Sequence, residues 1–175
     1  FLFIDKFRKI FYIELILKNE KMDEIDKKIL EELQKNSSIP LSELSKKVGL
    51  SNTPCWNRIK KLEEDKVILS KTVVLDNKKI NLPITVFLSI SIQNHSEKWL
   101  TNFQRVVKKY DEITEVHRLT GTNSDYQITI LSPSIDEYDK FQQNLIKEIE
   151  CTYMSSHISL QVIKQNHKLP LNYIN

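Results

Sequence analysis

Residues 50–63 read LSNTPCWNRIKKLE, and this stretch decides the fold of the first half of the chain. Ser51 can cap a helix through its hydroxyl, and Pro54 then falls in the first turn, where its missing N–H costs nothing. The apolar positions recur at helical spacing and form one inner face: Cys55, Ile59 and Leu62. The stretch therefore predicts a helix that starts after Ser51 and packs through that face.

Two further helices are predicted upstream of this stretch. Carboxylates within residues 23–26 favour the positive end of a helix dipole, and Pro40 marks where that first helix has stopped. Its apolar stripe has helical spacing: Ile25, Ile29, Leu30 and Leu33. Leu41–Val48 forms the second helix, which Gly49 closes in a left-handed conformation. Three short helices with a tight glycine turn before the third predict a helix-turn-helix.

The charge pattern of this head favours a nucleic-acid partner. No acidic residue occurs between Leu44 and Leu62, although the net charge of the whole chain is only +3. The basic residues of this interval are Lys46, Lys47, Arg58, Lys60 and Lys61. A run of charge is usually only a solvated face, but combined with the glycine turn it indicates a surface that meets phosphates.

The outward face of the third helix supplies the candidate DNA contacts. Asparagine can pair with adenine and lysine can reach guanine, so the candidates for reading bases are Asn52, Asn57 and Lys60. Phosphate contacts, which position without specifying, are expected from Lys46, Lys47, Ser51, Thr53, Arg58 and Lys61. Trp56 has two interpretations: it lies along the DNA backbone, or it packs on its own domain or on a dimer partner.

A wing and a linker are predicted after the third helix. Residues 71–75 read KTVVL, a plausible strand, and residues 76–79 turn the chain. Lys71, Lys78 and Lys79 add positive charge there. The predicted organisation is an N-terminal extension at 1–21, a winged helix-turn-helix at 22–70, a wing strand and linker at 71–83, a second domain at 84–168, and a tail at 169–175.

The second domain alternates strands and helices. Strands are predicted at Ile84–Ile92, Ile113–Leu119, Tyr126–Leu131 and His157–Lys164. Ser96 caps one helix and Ser134 caps the other. Their inward positions are Trp99, Leu100, Phe103, Val106, Val107 and Tyr110 in the first, and Tyr138, Phe141, Leu145 and Ile149 in the second. The order βαββαβ predicts a ferredoxin-like sheet with both helices on one face, so the fold class of the chain is α+β.

The other face of that sheet is predicted to need a cover. Val86, Leu88, Ile90, Ile128, Ile130, Ile158, Leu160 and Val162 are expected to face the helices. The opposite face then carries Phe87, Ser89, Ser91, Gln127, Thr129, Leu131, Ser159, Gln161 and Ile163, with no charged side chain. A solvated face would normally be more polar, so a second copy of the chain is the simplest cover.

Several classes of function are disfavoured. Cys55 and Cys151 make neither a disulfide framework nor a zinc site, the four histidines lack metal-ligand spacing, and no catalytic constellation appears. We therefore expect no enzyme, no metal and no cofactor. No run is long enough to cross a membrane, and the two cysteines read as reduced thiols, so we expect a cytoplasmic protein. Residues 1–21 are read as an extension upstream of a natural start at Met22, or alternatively as an extra packing helix.

The stretch Leu50–Glu63 resembles the recognition helix of the Lrp/AsnC family of transcription regulators. Members typically show a leucine-serine-x-threonine-proline-cysteine signature there, and the resemblance extends from Met22 to about Leu169. Trp56 and the segment Ser96–Trp99 resemble a branch that includes the bacterial cysteine-detoxification activators. The resemblance implies a ferredoxin-like regulatory (RAM/ACT-like) domain, dimers that often assemble into octamers, and an amino-acid effector. It also implies a location in the bacterial or archaeal cytosol or nucleoid.

The resemblance also implies an effector site. In the family, a glycine-led loop ending in Asp-Tyr lies where amino-acid effectors bind, and here that loop is Gly121, Thr122, Asn123, Ser124, Asp125 and Tyr126. Backbone N–H groups of residues 121–123 could hold the effector carboxylate and Asp125 its ammonium. This loop is one residue longer than is common in the family. The alternative is an ordinary turn between strands.

The sequence thus predicts a regulator that binds double-stranded DNA and responds to an amino acid, with cysteine as one candidate. The main alternative is an architectural protein of the nucleoid that binds DNA without an effector. A stand-alone amino-acid-binding module is disfavoured by the acid-free basic helix.

Overall fold

The computed structural model describes residues 22–93, 95–121 and 124–174, which form two compact units. The described residues up to Val73 and those from Gln165 onward make the first unit, the head. The second unit spans Val74–Lys164. The predicted N-terminal extension at 1–21, and Thr122 and Asn123 of the predicted effector loop, lie outside the described residues.

The head contains three helices: α1 (Glu24–Lys35), α2 (Leu41–Val48) and α3 (Asn52–Glu64). A capping box begins α1, because the Asp23 carboxylate accepts from the N–H of Asp26 at 2.9 Å while the Asp26 carboxylate accepts from the N–H of Asp23 at 3.2 Å. Gly49 ends α2 with a φ of 75°, a left-handed conformation in which glycine avoids the strain of a side chain. The predicted helix-turn-helix is confirmed.

The core of the head includes a segment from the far end of the chain. Its buried side chains come from the three helices: Ile29, Leu30, Leu44, Val48, Cys55 and Leu62. Leu171 and Ile174 pack against this cluster. The Gln34 amide also holds Leu169, donating to its carbonyl at 3.2 Å and accepting from its N–H at 2.6 Å. The residues predicted as a tail therefore complete the packing of the head.

The predicted wing strand at 71–75 is not formed. These residues have no regular secondary structure, and residues 77–81 form turns. Val73, Val74 and Leu75 are 78%, 59% and 63% exposed. A strand needs a neighbour to satisfy its backbone groups, and no strand of the described chain lies beside this segment. The composition of this segment favours a strand, but the described part of the chain offers it no partner strand.

The second unit has the predicted ferredoxin-like architecture. Its elements are β1 (Ile84–Ser91), α4 (Glu97–Val107), β2 (Ile113–Arg118), β3 (Tyr126–Ser132), α5 (Ile135–Glu148) and β4 (Tyr153–Ile158). The four strands form one antiparallel sheet in the order β2-β3-β1-β4. Alternate residues of β1 and β3 are buried against both helices: Val86, Leu88, Ile90, Ile128 and Ile130. Ser96 and Ser134 cap α4 and α5 as predicted.

The last strand was placed too late in the sequence. β4 runs from Tyr153 to Ile158, whereas the prediction was His157–Lys164. Ile158 already lies opposite Val86, near the start of β1, so the chain beyond it soon has no partner on that strand. Leu160 and Val162, which were predicted to face the helices, are 97% and 60% exposed. The prediction is wrong for these two residues, whereas Ile158, although 41% exposed, lies opposite the buried Val86 and so on the face that meets the helices.

The outward face of the sheet is less uniform than predicted. Glu115 and His117 of β2 lie opposite Thr129 and Gln127, so they share that face, and the statement that it carries no charge is wrong. The residues predicted from the last strand, Ser159, Gln161 and Ile163, all follow β4. The central strands remain uncharged there, with Phe87 36% exposed between its neighbours on β3 and β4.

Candidate nucleic-acid interface and effector loop

Helix α3 presents its predicted outward face to solvent. Cys55 is fully buried and Leu62 is 4% exposed, which fixes the inner side of the helix. The residues expected to meet DNA are all exposed: Asn52, Thr53, Trp56, Asn57 and Lys60. The helix has no acidic residue in its first turn, so its positive dipole end is left open to an anion. Ser51 precedes the helix as predicted, but its hydroxyl makes no capping hydrogen bond.

Arg58 is engaged within the head. Its Nη1 lies 2.8 Å from a carboxylate oxygen of Asp23 and 2.8 Å from one of Asp26. These hydrogen bonds raise the pKa of the Arg58 guanidinium, and the bond to Asp26 has the larger effect. Arg58, predicted as a phosphate contact, therefore joins α3 to the start of α1 in the free protein. Sequence reasoning missed this pairing because the partners are 32 residues or more apart.

The two lysines at the end of α2 differ in their surroundings. Lys47 Nζ lies 3.1 Å from Glu32 and 3.2 Å from Glu43, and both hydrogen bonds raise its pKa. Lys46 is exposed and forms no ion pair with the described part of the chain. Lys46 can thus meet a phosphate directly, whereas Lys47 must exchange partners to do so.

Trp56 is half exposed and lies beside Lys60. Its side chain is 50% exposed, and Lys60 Nζ is 5.3 Å from the ring centroid, a cation–π distance. Lys60 also lies 3.6 Å from Glu64. Of the two interpretations of Trp56, packing into its own head does not describe this position. Its exposed ring suits a contact with DNA or with a second copy.

Asn52 is tied to a buried serine of the preceding helix. The Ser45 hydroxyl is 2.7 Å from Asn52 Oδ1 and 3.3 Å from the backbone oxygen of Ser42. Ser45 itself is only 2% exposed. The sequence analysis did not predict this pair. The available signal was the position of Ser45, a polar residue next to the apolar Leu44 on α2.

Asp125 is anchored to the end of β1. Its carboxylate accepts from the Ile92 N–H at 2.8 Å, and its other oxygen lies 3.1 Å from His95 Nε2. Its backbone N–H also donates to Ile90 O at 2.8 Å. The hydrogen bond from the Ile92 N–H holds the pKa of Asp125 below its usual value, and the hydrogen bond with His95 lowers it further to a smaller extent. The predicted ammonium ligand is therefore an ionised, fixed acceptor that also has a structural role.

The other described residues of the predicted effector loop differ in how exposed they are to solvent. Tyr126 is 5% exposed, with its ring 5.4 Å from Trp99 and 4.8 Å from Phe103, so it belongs to the core. Ser124 is partly exposed, and Gly121 is exposed. The structure thus brings Asp125 and Ser124 to one surface and places the Tyr126 side chain beneath it.

A cleft of about 720 Å³ lies at the same end of the sheet. It is lined by Ile92, Gln93, Ser96, Trp99, Glu150, Cys151 and Thr152. Trp99 closes one side, donating from Nε1 to the backbone oxygen of Glu150 at 2.6 Å. Burial raises the pKa of the Cys151 thiol, so this thiol stays protonated. Sequence reasoning did not find the cleft, because three separate segments form it.

The described residues contain neither a membrane-spanning helix nor a metal-binding cluster. No helix among them is long and apolar enough to span a bilayer. Nowhere in the same residues do three His, Cys, Asp or Glu side chains come together as a metal site.

Comparison with known proteins identifies both halves of the chain. Residues 22–68 match a winged helix-turn-helix DNA-binding family, and residues 85–169 match the Lrp/AsnC ligand binding domain. The glutamate uptake regulatory protein of Zymomonas mobilis subsp. mobilis is 40% identical over 86% of this chain and 92% of its own length. The DNA-binding transcriptional activator DecR of Escherichia coli K12 is 33% identical over 86% of this chain and 99% of its own.

Solved structures agree with these relatives. An AsnC family transcriptional regulator from Agrobacterium tumefaciens is 43% identical, with a TM-score of 0.83 over 88% of this chain and 100% of its own. A transcriptional regulator from Neisseria meningitidis in complex with L-Met is 29% identical, with a TM-score of 0.82 over 88% of this chain and 99% of its own.

Proposed function

The chain belongs to the Lrp/AsnC family of DNA-binding transcription regulators, and from this premise we propose that it binds duplex DNA through α3. We further propose that it acts in the cytoplasm as a homodimer or larger oligomer, and that an amino acid controls it. The observation that carries the proposal is the outward face of α3. It is exposed, free of carboxylates in its first turn, and held by a buried inner face behind the left-handed turn at Gly49. Such a helix fits the major groove of DNA.

The contacts within this interface divide by their chemistry. Asn57, Asn52 and Lys60 are proposed to approach base edges, and Trp56 to lie along the sugar-phosphate backbone. Lys46, Lys47, Lys61, Ser51 and Thr53 are proposed to meet phosphates. Arg58 is better explained as the residue that holds α3 against α1, because both of its acidic partners lie 2.8 Å away.

An amino-acid effector is proposed to bind beside the anchored Asp125. A carboxylate has room for about four hydrogen bonds, and the bonds to Ile92 and His95 leave places for an ammonium group. The relative from Neisseria meningitidis binds L-Met, which supports this chemical class. Cysteine is one candidate, because Trp56 and the segment Ser96–Trp99 resemble the cysteine-detoxification branch.

Self-association is proposed through the outward face of the sheet and the two exposed segments at 73–75 and 160–163. Leu160 and Ile163 are 97% and 85% exposed, and both segments have strand-forming composition without a strand partner. Pairing with a second copy would satisfy their backbone groups and cover Phe87. An effector bound at a subunit contact could then shift the balance among assembly states through linkage.

The test measures DNA binding and titration calorimetry with each common amino acid, on the parent and on Asp125→Asn. The asparagine keeps an oxygen for the Ile92 N–H but removes the charge that an ammonium requires. We expect one amino acid to bind and to change DNA affinity, and Asp125→Asn to lose that response while still binding DNA. If DNA binds but no amino acid produces heat or changes the affinity, the effector role is refuted and an architectural protein is favoured.

A further inference from the structure

We propose that buried Ser45 fixes the side-chain amide of Asn52 so that Asn52 offers DNA only hydrogen-bond donors, and that it therefore recognises an acceptor and cannot read adenine through two hydrogen bonds. Among the bases guanine suits it best, because guanine alone presents two acceptors in the major groove, and a phosphate oxygen is the other partner. This inference rests on the proposed docking of α3. It replaces the sequence-based expectation that Asn52 pairs with adenine through both atoms of its amide.

The distances determine which atom of the Asn52 amide faces Ser45. The Ser45 oxygen is 2.7 Å from Asn52 Oδ1, the usual length of a hydroxyl-to-oxygen hydrogen bond and the short limit of the range for an amide N–H donor. The other acceptor near this hydroxyl, the Ser42 carbonyl oxygen, is 3.3 Å away, beyond the normal range for such a bond. The single proton of Ser45 therefore goes to Asn52, whose oxygen faces inward.

The surroundings of Ser45 make this orientation costly to reverse. Ser45 is 2% exposed and sits on α2 between the buried Leu44 and the start of α3, so water cannot replace Asn52 as its partner. Rotating the Asn52 amide by half a turn would place its NH₂ group against the same hydroxyl. Ser45 would then have to donate to the more distant Ser42 carbonyl. A buried hydroxyl keeps the better partner.

The consequence for recognition follows from the chemistry of the bases. Reading adenine through two hydrogen bonds requires one donor and one acceptor on the same amide. Because the oxygen of Asn52 is turned toward Ser45, its NH₂ group is the part of the amide that faces outward. Guanine presents two acceptors, N7 and O6, in the major groove, and a phosphate presents oxygens alone. The fixed Asn52 suits either of these partners.

The experiment selects preferred duplexes from a random-sequence DNA pool with the full chain, and then compares the parent with Asn52→Ala. We expect Asn52→Ala to lose on the order of tenfold in affinity for the selected duplexes. Replacing single guanines by 7-deazaguanine, or single phosphates by methylphosphonate, distinguishes the two acceptors. The modification that weakens the parent but not Asn52→Ala marks the atom that Asn52 contacts.

The second arm releases the amide. In Ser45→Ala, Asn52 can rotate, so we expect weaker binding to the parental sites or a new adenine preference at one position. Ser42→Ala is the matched control, since it makes the same change one turn earlier and keeps the carbonyl near Ser45. Thermal unfolding checks that all variants fold.

Three results would overturn the inference. The first is an adenine in the parental site whose 6-amino group, when removed in a purine analogue, weakens the parent but not Asn52→Ala. The second is an Asn52→Ala protein that binds every duplex as the parent does, and the third is a folded Ser45→Ala with parental affinity and selection. If Ser45→Ala fails to fold, the Asn52→Ala arm still distinguishes donation to an acceptor from a two-bond contact with adenine. A parent that retains no duplex at all would refute the proposed docking itself, and the inference with it.

Discussion

Removing the guanidinium of Arg58 should loosen the recognition helix from α1 and lower the stability of the head. In Arg58→Ala, the carboxylates of Asp23 and Asp26 lose the Nη1 that lies 2.8 Å from each of them. The two acidic groups belong to one capping box, so they remain close together without a cation between them. The change therefore removes an attraction and leaves a repulsion.

The size of the stability loss in Arg58→Ala depends on how far solvent screens each of the two ion pairs. The Arg58 side chain is 32% exposed and that of Asp26 only 17%, so this hydrogen bond should contribute about 1.5 kcal/mol. Asp23 is 49% exposed, and its pair should contribute roughly 0.5 kcal/mol. We expect Arg58→Ala to lower the free energy of unfolding of the head by about 2 kcal/mol near neutral pH.

The loss should depend on pH. A backbone N–H of Asp26, together with Arg58, holds the pKa of Asp23 below its usual value. A depressed carboxyl pKa contributes stability above the unfolded value of about 3.9, and this contribution disappears as the pH falls through the folded pKa. The difference between the parent and Arg58→Ala should therefore be constant from neutral to mildly acidic pH and shrink below about pH 4.

The assay follows urea unfolding by the fluorescence of Trp56 in a Trp99→Phe background, so that the signal comes from the head alone. Lys46→Ala is the matched control, because it removes one positive charge from the head without breaking an ion pair. The reasoning fails if Arg58→Ala unfolds at the same urea concentration as the control. It fails equally if the loss persists unchanged at pH 3.

Three further changes test other parts of the molecule. Replacing Lys46, Lys47 and Lys61 together by Ala should weaken binding to any duplex and reduce the salt slope by up to about three, and a parental slope would exclude them as phosphate contacts. Phe87→Glu should give monomers or aggregates in sedimentation by placing a charge in the proposed interface, whereas a stable parental monomer at micromolar concentration would remove that interface. Leu171→Ala should lower the stability of the head by roughly 1–2 kcal/mol without affecting that of the second unit, and equal unfolding of both proteins would show that the segment does not stabilise the head.

The sequence predicted those features whose cause is local. The stripe of α1, the glycine that ends α2 and the serines that cap α4 and α5 each depend on residues within a turn or two, and all were found where expected. The alternation of buried residues in β1 and β3 likewise follows from short-range periodicity.

Features that depend on a distant partner were missed or misplaced. β4 ends near where β1 begins, which the composition of residues 157–164 does not reveal. The pairs of Arg58 with α1 and of Asp125 with Ile92 join residues more than thirty positions apart. A pattern of residue types predicts that a group is charged or polar, but the side chain it meets is fixed only by the tertiary fold.

The return of residues 165–174 to the head has a consequence for how the protein is made. Gln34 bonds with Leu169, which lies 135 positions later, so all of the second unit is synthesised before this contact can form. Domains usually fold in the order in which they leave the ribosome, the N-terminal one first. Here the three helices emerge early, but their core is fully covered only after Leu171 and Ile174 have been made. A chain interrupted during translation would thus carry a less stable head, and the DNA-binding unit would reach its full stability only on molecules whose second unit has already been made.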